Sequence, residues 1–266
     1  MNKPRKIESQ KEFNWKLWIY TNYDCNLSCS YCVARSGPTT ARRAINLETV
    51  QQLVDEAVEA GFSSVYFTGG EPLILDEIYD MLEFASRRLP TILLTNAMLI
   101  KGNRLERLRA INNEQLVIQV SLDGGCPDHH DAFRGVGTWK STVAGIHILL
   151  DNGFHVRLST TETPANAAHL DEICTFHRSL GIVEEDHFIR PLARRGFSKN
   201  GLEVNQSNLC PELTVDVDGV YWHPLGTEQD MLVSSNIFPL TAAVQIVQEK
   251  LASFEQYEPG LLQTFT

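Results

Sequence analysis

The 266-residue chain reads as an α/β protein, a partial (β/α)6 barrel of parallel strands with a small C-terminal β-hairpin and helix appended. Three observations predict this. Short runs rich in β-branched and aromatic residues alternate six times with amphipathic segments of helical period, the pattern of repeated βαβ units. All six units fit between residues 16 and 192, too little chain for a closed eight-stranded barrel of ~250 residues. Polar residues with cofactor chemistry follow directly on the strand-like runs, where parallel α/β folds bind ligands.

The first strand is expected at 16–21, rich in aromatic and β-branched residues. A cysteine loop and a Gly/Pro/Thr-rich stretch at 36–40 follow. Asn46 can cap a helix whose Leu47, Val50, Leu53, Val54, Ala57 and Val58 share one face, and Gly61 stops it. A second strand at 64–68 ends in Gly69-Gly70-Glu71-Pro72, and a helix at 76–88 leads to a third strand at 91–95. A helix at 102–111 precedes a fourth strand at 116–121, which runs into Leu122-Asp123-Gly124. Residues 126–138 are expected to be a loop, 139–151 a helix, 155–160 the fifth strand, 166–180 a helix and 183–190 the sixth strand. Past residue 193 the pattern breaks, and Asp218-Gly219 between 213–217 and 220–222 signals a hairpin. A last helix is expected at 240–254, with Ala243, Ile246, Val247 and Leu251 on one face. The expected organisation is an arm at 1–15, a barrel at 16–192 and an appendage at 193–266.

The net charge of −10 and the sparse Arg-Arg doublets argue against a nucleic-acid partner. No apolar run reaches the ~18–20 residues of a membrane span, and the polar start has no signal-peptide core. A cytoplasmic protein is expected, in a compartment that keeps thiols reduced.

Cys25, Cys29 and Cys32 stand at C-x3-C-x2-C spacing on one short loop. Half a zinc knuckle or a disulfide pair are alternative readings of such cysteines. Three thiolates on a [4Fe-4S] cube would leave one iron without a protein ligand, open to a small molecule. The spacing, with an aromatic residue (Tyr31) before the last cysteine and Gly69-Gly70-Glu71-Pro72 one βα unit downstream, resembles the radical S-adenosylmethionine (SAM) enzymes. Val-Ser-Leu-Asp-Gly at 120–124 and His-Asp-Ala-Phe-Arg-Gly at 130–135 resemble the members that carry SPASM or twitch extensions.

The resemblance implies that Cys25, Cys29 and Cys32 hold one [4Fe-4S] cluster and that Gly69, Gly70 and Glu71 hold the methionine amino group of SAM. It implies that Tyr31 lies at the cofactor site, that Ser121 and Asp123 bind the SAM ribose, and that Asn96 faces the same pocket. Arg190 is expected to pair with a carboxylate of SAM or substrate, or else with a surface acid. His129, His130, Asp131 and Arg134 are expected on an active-face loop, with substrate contact or a local Asp131–Arg134 salt bridge. Asn166 can be a pocket residue or only a cap.

Cys174 reads as a core residue, and Cys126 as a loop thiol near the radical site. Cys210 lacks the partners an auxiliary cluster needs, since no cysteine follows it, and His223 is a poor replacement ligand. A single cluster is therefore expected. The implied chemistry is reductive cleavage of SAM to a 5′-deoxyadenosyl radical that takes hydrogen from a small metabolite or short peptide. The electron would come from a donor such as flavodoxin or ferredoxin. A ribosomal-peptide maturase working with a separate recognition partner and a non-catalytic SAM-binding sensor are the alternatives.

Overall fold

A computed structural model describes residues 14–111 and 114–253. Nine strands form a single sheet in the order β6-β5-β4-β3-β2-β1-β7-β8-β9. β1 (Lys16–Tyr20), β2 (Ser64–Thr68), β3 (Thr91–Thr95), β4 (Leu116–Ser121), β5 (His155–Glu162) and β6 (His187–Pro191) pair in parallel, each with its sequence neighbour. The intervening α-helices are α1 (Leu47–Glu59), α2 (Ile78–Ser86), α3 (Asn103–Ile111), α4 (Pro127–Arg134), α5 (Thr138–Asp151) and α6 (Leu170–Ser179). No helix of the described residues is long and apolar enough to cross a membrane.

Residues beyond 193 extend the same sheet. β7 (Thr214–Asp216) pairs in parallel with the free edge of β1, and β8 (Gly219–Tyr221) and β9 (Leu232–Ser234) continue it antiparallel. The turn expected at Asp218-Gly219 is displaced by one residue: Asp216 pairs with Gly219, so Val217 and Asp218 form the loop. The final helix, α7 (Leu240–Ser253), docks on the barrel helices, its Leu240 amide donating to Glu56 Oε2 of α1 at 2.6 Å.

The strand period of two divides the sheet into two faces. Leu17, Ile19, Val65, Phe67 and Leu93 join the helices in the core, while the alternate Trp18, Tyr20, Thr68 and Leu94 line a cavity. α1 shows why these segments are helical. Asn46 caps it by accepting the Thr49 amide at 2.8 Å, and Val50, Leu53, Val54 and Ala57 are fully buried. Burying each large aliphatic side chain contributes roughly 1.5–3 kcal/mol, well above the ~0.5 kcal/mol that each valine costs a helix. Gly61, at φ +75°, ends the helix in a conformation other residues adopt only with strain.

Several expected elements are revised. The loop expected over 126–138 contains α4, started by Pro127 at its first turn, carrying Arg134 in its last turn and closed by Gly135 at φ +112°. His130 and Arg134, four residues apart on one helical face, are both buried. The sixth strand starts only at His187, because Glu184–Asp186 forms a 3-10 turn. On α7, Ile246 is exposed, and Leu240 completes the buried face with Ala243, Val247 and Leu251.

Candidate active site

A cavity with about 1,110 Å³ of space opens at the carboxyl ends of the parallel strands. Its wall is built in turn by the cysteine loop after β1, the glycines after β2, Asn96 after β3, Ser121 at the end of β4 and Arg190 on β6. The segment after β8 closes the far side with His223, Pro224 and Leu225. Tyr20 ties that segment down by donating its hydroxyl to the Pro224 carbonyl at 2.5 Å.

Cys25, Cys29 and Cys32 all line this cavity and are free, half-buried thiols. The backbone presents them by short turns, the Cys32 amide donating to the Cys29 carbonyl at 3.2 Å and the Ser36 amide to Cys32 Sγ at 3.4 Å. Burial, with Glu71, Cys29 and Cys32 as negative neighbours, pushes the Cys25 thiol up to about 12. Burial also raises Cys29, partly offset by the nearby Arg134 charge. Cys25 and Cys29 are thus held as thiols by burial, and a cationic centre would favour their thiolates. Three cysteines from one loop that line one cavity are a donor set that fits a [4Fe-4S] cluster with one iron left open.

The two glycines after β2 are required by the chain itself. A Cβ on Gly70 would lie 2.1 Å from the Asp24 carbonyl oxygen, and one on Gly69, at φ +134°, 2.4 Å from that of Asn22. The close approach these glycines permit is to the start of the cysteine loop. The Gly70 and Glu71 amides donate to the Asn22 and Asp24 carbonyls at 2.7 and 3.1 Å, so β2's end and the thiol loop are held as one unit.

Glu71, almost fully buried, accepts from the Leu73 amide (3.1 Å), the Thr95 hydroxyl (2.8 Å) and the Asn96 amide (2.9 Å). Burial raises its pKa while these donors act to lower it. Asn96 passes the link on, its Nδ2 donating to Asn26 Oδ1 inside the cysteine loop at 2.8 Å.

Asp123, expected at a ribose, is instead fully buried behind the wall, and its side chain does not line the cavity. Its Oδ2 accepts from Arg134 Nε at 2.6 Å and from the Tyr31 hydroxyl, and its Oδ1 accepts the Thr161 amide at 2.9 Å. Burial would raise this carboxyl, but the Arg134 charge and the hydrogen bonds hold it below the usual range. Arg134 thus pairs with Asp123, not with Asp131. Asp131 serves α5, accepting from the Gly137 amide at 2.7 Å and the Trp139 amide at 2.8 Å. Sequence spacing missed this pair because the carboxylate lies on a strand end and the guanidinium on an unforeseen helix; the i, i+4 pair His130/Arg134 was the available signal.

His130 accepts the Asp123 amide on Nδ1 at 3.1 Å and is kept neutral by burial, its pKa down to about 4. Asn166 stands at the N-cap of the 3-10 turn Ala167–His169 without a side-chain capping bond; its Nδ2 donates instead to the carbonyls of Asp123 and Thr161 at 2.7 and 2.9 Å. Arg190 lines the cavity with no ion-pair partner among the described residues, and burial lowers its pKa. His129 stacks on His169 with ring centroids 4.3 Å apart. Cys126, Cys174 and Cys210 lie outside the cavity wall, and Cys174, expected in the core, is only half-buried.

The radical SAM superfamily model matches residues 19–165, which carry all three cysteines and the Gly69-Gly70-Glu71 turn. The chain belongs to the radical SAM superfamily. Members use a [4Fe-4S] cluster and SAM, and the three-thiol donor set of this chain fits that cluster. The AdoMet-dependent heme synthase of Oleidesulfovibrio alaskensis is 27% identical over 183 residues, covering 68% of this chain and 47% of that one. The chain spans about half the length of the curated relatives it matches. Among solved structures, native anSMEcpe with bound AdoMet has a TM-score of 0.68 at 16% identity, covering 92% of this chain and 85% of that one. Streptococcus suis SuiB bound to its precursor peptide SuiA has a TM-score of 0.61 at 22% identity, covering 74% and 44%. At these identities the two structures show a shared radical SAM fold.

Proposed function

We propose that this chain is a radical SAM enzyme that takes a hydrogen atom from a short peptide or a small metabolite. The observation that carries the reading is the common cavity of Cys25, Cys29, Cys32 and the Gly69-Gly70-Glu71 turn. When bound, the [4Fe-4S] cluster and SAM would supply one-electron, hydrogen-abstracting radical chemistry. Cys25, Cys29 and Cys32 would hold the cluster. Gly69, Gly70 and Glu71 receive the methionine amino group, and Arg190, a cavity cation without a partner among the described residues, attracts the carboxylate. Tyr31, Asn96 and Ser121 border the cofactor, while Asp123 acts through Tyr31 and Arg134 by stiffening the wall. Cofactor and substrate bound in this cavity would shield a reactive radical from water.

Residues 193–253 serve as a twitch-like remnant that closes the cavity and carries no second cluster. A peptide substrate is favoured by the resemblance to SuiB, which is solved with a precursor peptide. A flavodoxin or ferredoxin would deliver the electron, in the reducing cytoplasm that free thiols require. Anaerobic reconstitution with iron, sulfide, a reductant and SAM tests the assignment. Methionine and 5′-deoxyadenosine should form in equal amounts, and Cys29→Ala should abolish both. Product formation by the Cys29→Ala protein would overturn the reading.

A further inference from the structure

A second group of reactive side chains lies between α6 and β6, sharing no lining residue with the first cavity. Cys174 Sγ is 3.6 Å from His187 Nδ1. The tautomer of that imidazole follows from its other nitrogen. The Thr160 hydroxyl donates its only proton to the Leu122 carbonyl at 2.7 Å, so at its 3.1 Å contact with His187 Nε2 it can only accept. Nε2 therefore carries the proton, and the Nδ1 lone pair faces the thiol. Nucleophile, base and orienting group stand in the order found in activated-thiol sites.

A cavity with about 630 Å³ of space opens beside them, lined also by His177, Arg178 and Glu184. His177 forms part of its wall, is 1% exposed, and finds no hydrogen-bond partner for either ring nitrogen among the described residues. Its ring meets His187 edge-on at 4.2 Å. A buried, unpartnered polar wall fits a polar ligand. Arg178 and Glu184 add one cation and one anion at the opening.

We propose that Cys174 is a base-assisted thiol that exchanges with low-molecular-weight disulfides bearing amino and carboxylate groups. The Cys174 sulfur attacks one sulfur of the disulfide as His187 Nδ1 accepts the thiol proton. The Cys174–S–S–R bond forms and the ligand's S–S bond breaks. Cys174 is oxidised to the mixed disulfide, and the departing thiolate, the reduced half, takes the proton from Nδ1 and leaves as a thiol. Cys210 lacks such help: it is half-buried, and burial and the Glu212 charge raise its pKa. This chemistry does not rest on SAM cleavage.

The test treats the cluster-loaded protein anaerobically with glutathione disulfide and follows each thiol by peptide-mapping mass spectrometry. Cys174 should be modified at least ~10-fold faster than Cys210. His187→Gln should slow Cys174 by ~10-fold and leave the Cys210 rate unchanged, which reports an intact fold. Cystamine, which lacks carboxylates, should react more slowly at Cys174 than glutathione disulfide does. Equal rates at Cys174 and Cys210, or an unchanged Cys174 rate in His187→Gln, would overturn the proposal. If His187→Gln raises the Cys210 rate by loosening the fold, Thr160→Val decides: a slowed Cys174 supports the proposal, and an unaffected one refutes it. Stoichiometric zinc held by Cys174 and His187 with no exchange would also overturn it.

Discussion

Arg134→Met removes the cation from a carboxylate that has no exposed surface. Asp123 is 0% exposed and Arg134 7%, with Nε and Oδ2 2.6 Å apart. Removing one partner of a buried pair costs about 3–5 kcal/mol. Protonation sets a ceiling, because Asp123 can take up a proton instead of remaining a bare buried charge. From an unfolded-state pKa of ~3.9, that escape costs ~4 kcal/mol at pH 7 and only ~1.5 kcal/mol at pH 5. The expected loss is thus about 3–4 kcal/mol at pH 7, shrinking by more than half at pH 5.

The sign follows from the two states. In the native protein Asp123 is held below its usual pKa, so its contribution is present above pH ~4 and lost below it. In the variant the neutral form is favoured, and the deficit grows as pH rises. Thermal unfolding should show a fall of roughly 10 °C at pH 7, with most of it recovered in Asp123→Asn/Arg134→Met, where no charge is stranded. Because the Tyr31 hydroxyl also binds Asp123, iron bound per chain after reconstitution should fall in the single variant. A loss under ~1 kcal/mol at pH 7, or one independent of pH, would refute the reasoning.

Gly70→Ala should abolish cluster loading, since its Cβ would sit 2.1 Å from a backbone oxygen, whereas Gly61→Ala meets no atom within 4 Å and should cost only ~1 kcal/mol for its positive φ; iron content and melting temperature distinguish them. Burial drives the His177 pKa down to about 3, so this residue's contribution is complete above pH ~6.5 and is lost as pH falls from there, by about 2 kcal/mol at pH 5. His177→Leu should accordingly match the parent at pH 7 and flatten the loss of melting temperature between pH 6.5 and 5; an unchanged slope would exclude this role. Asp131→Ala deprives the Gly137 and Trp139 amides of their acceptor and should lower stability by ~1 kcal/mol, read by urea unfolding, with SAM cleavage retained.

Local chemistry located most of the barrel. β2 ends where its run meets Gly69, and β3 lies between Pro90 and Asn96, because largely buried strands leave a strong apolar imprint. The helix α4 escaped because its eight residues carry one turn of polar face and no full apolar stripe; its stability comes from His130 and Arg134 packing against the end of β4. The place of β7 escaped as well, since three residues cannot encode which sheet edge they will meet. That choice is made by Trp18 and Lys16 of β1, whose Nε1 and Nζ reach Glu212 at 2.6 and 3.1 Å just before β7.

Spacing and strand order alone put the three cysteines and the Gly69-Gly70-Glu71 turn at one end of the sheet. Three cysteines on one loop and Gly-Gly-Glu one unit later follow adjacent parallel strands, so their side-by-side placement is a consequence of topology. Tertiary structure decided what each polar group touches. Gly69 and Gly70 yield to the cysteine loop's backbone, and the Asp123 carboxylate turns from the cavity to Arg134, Tyr31 and the Thr161 amide. A carboxylate without solvent must find its cation and donors within hydrogen-bond reach. In this fold they come from a helix, a loop and the neighbouring strand β5, which linear spacing does not bring together.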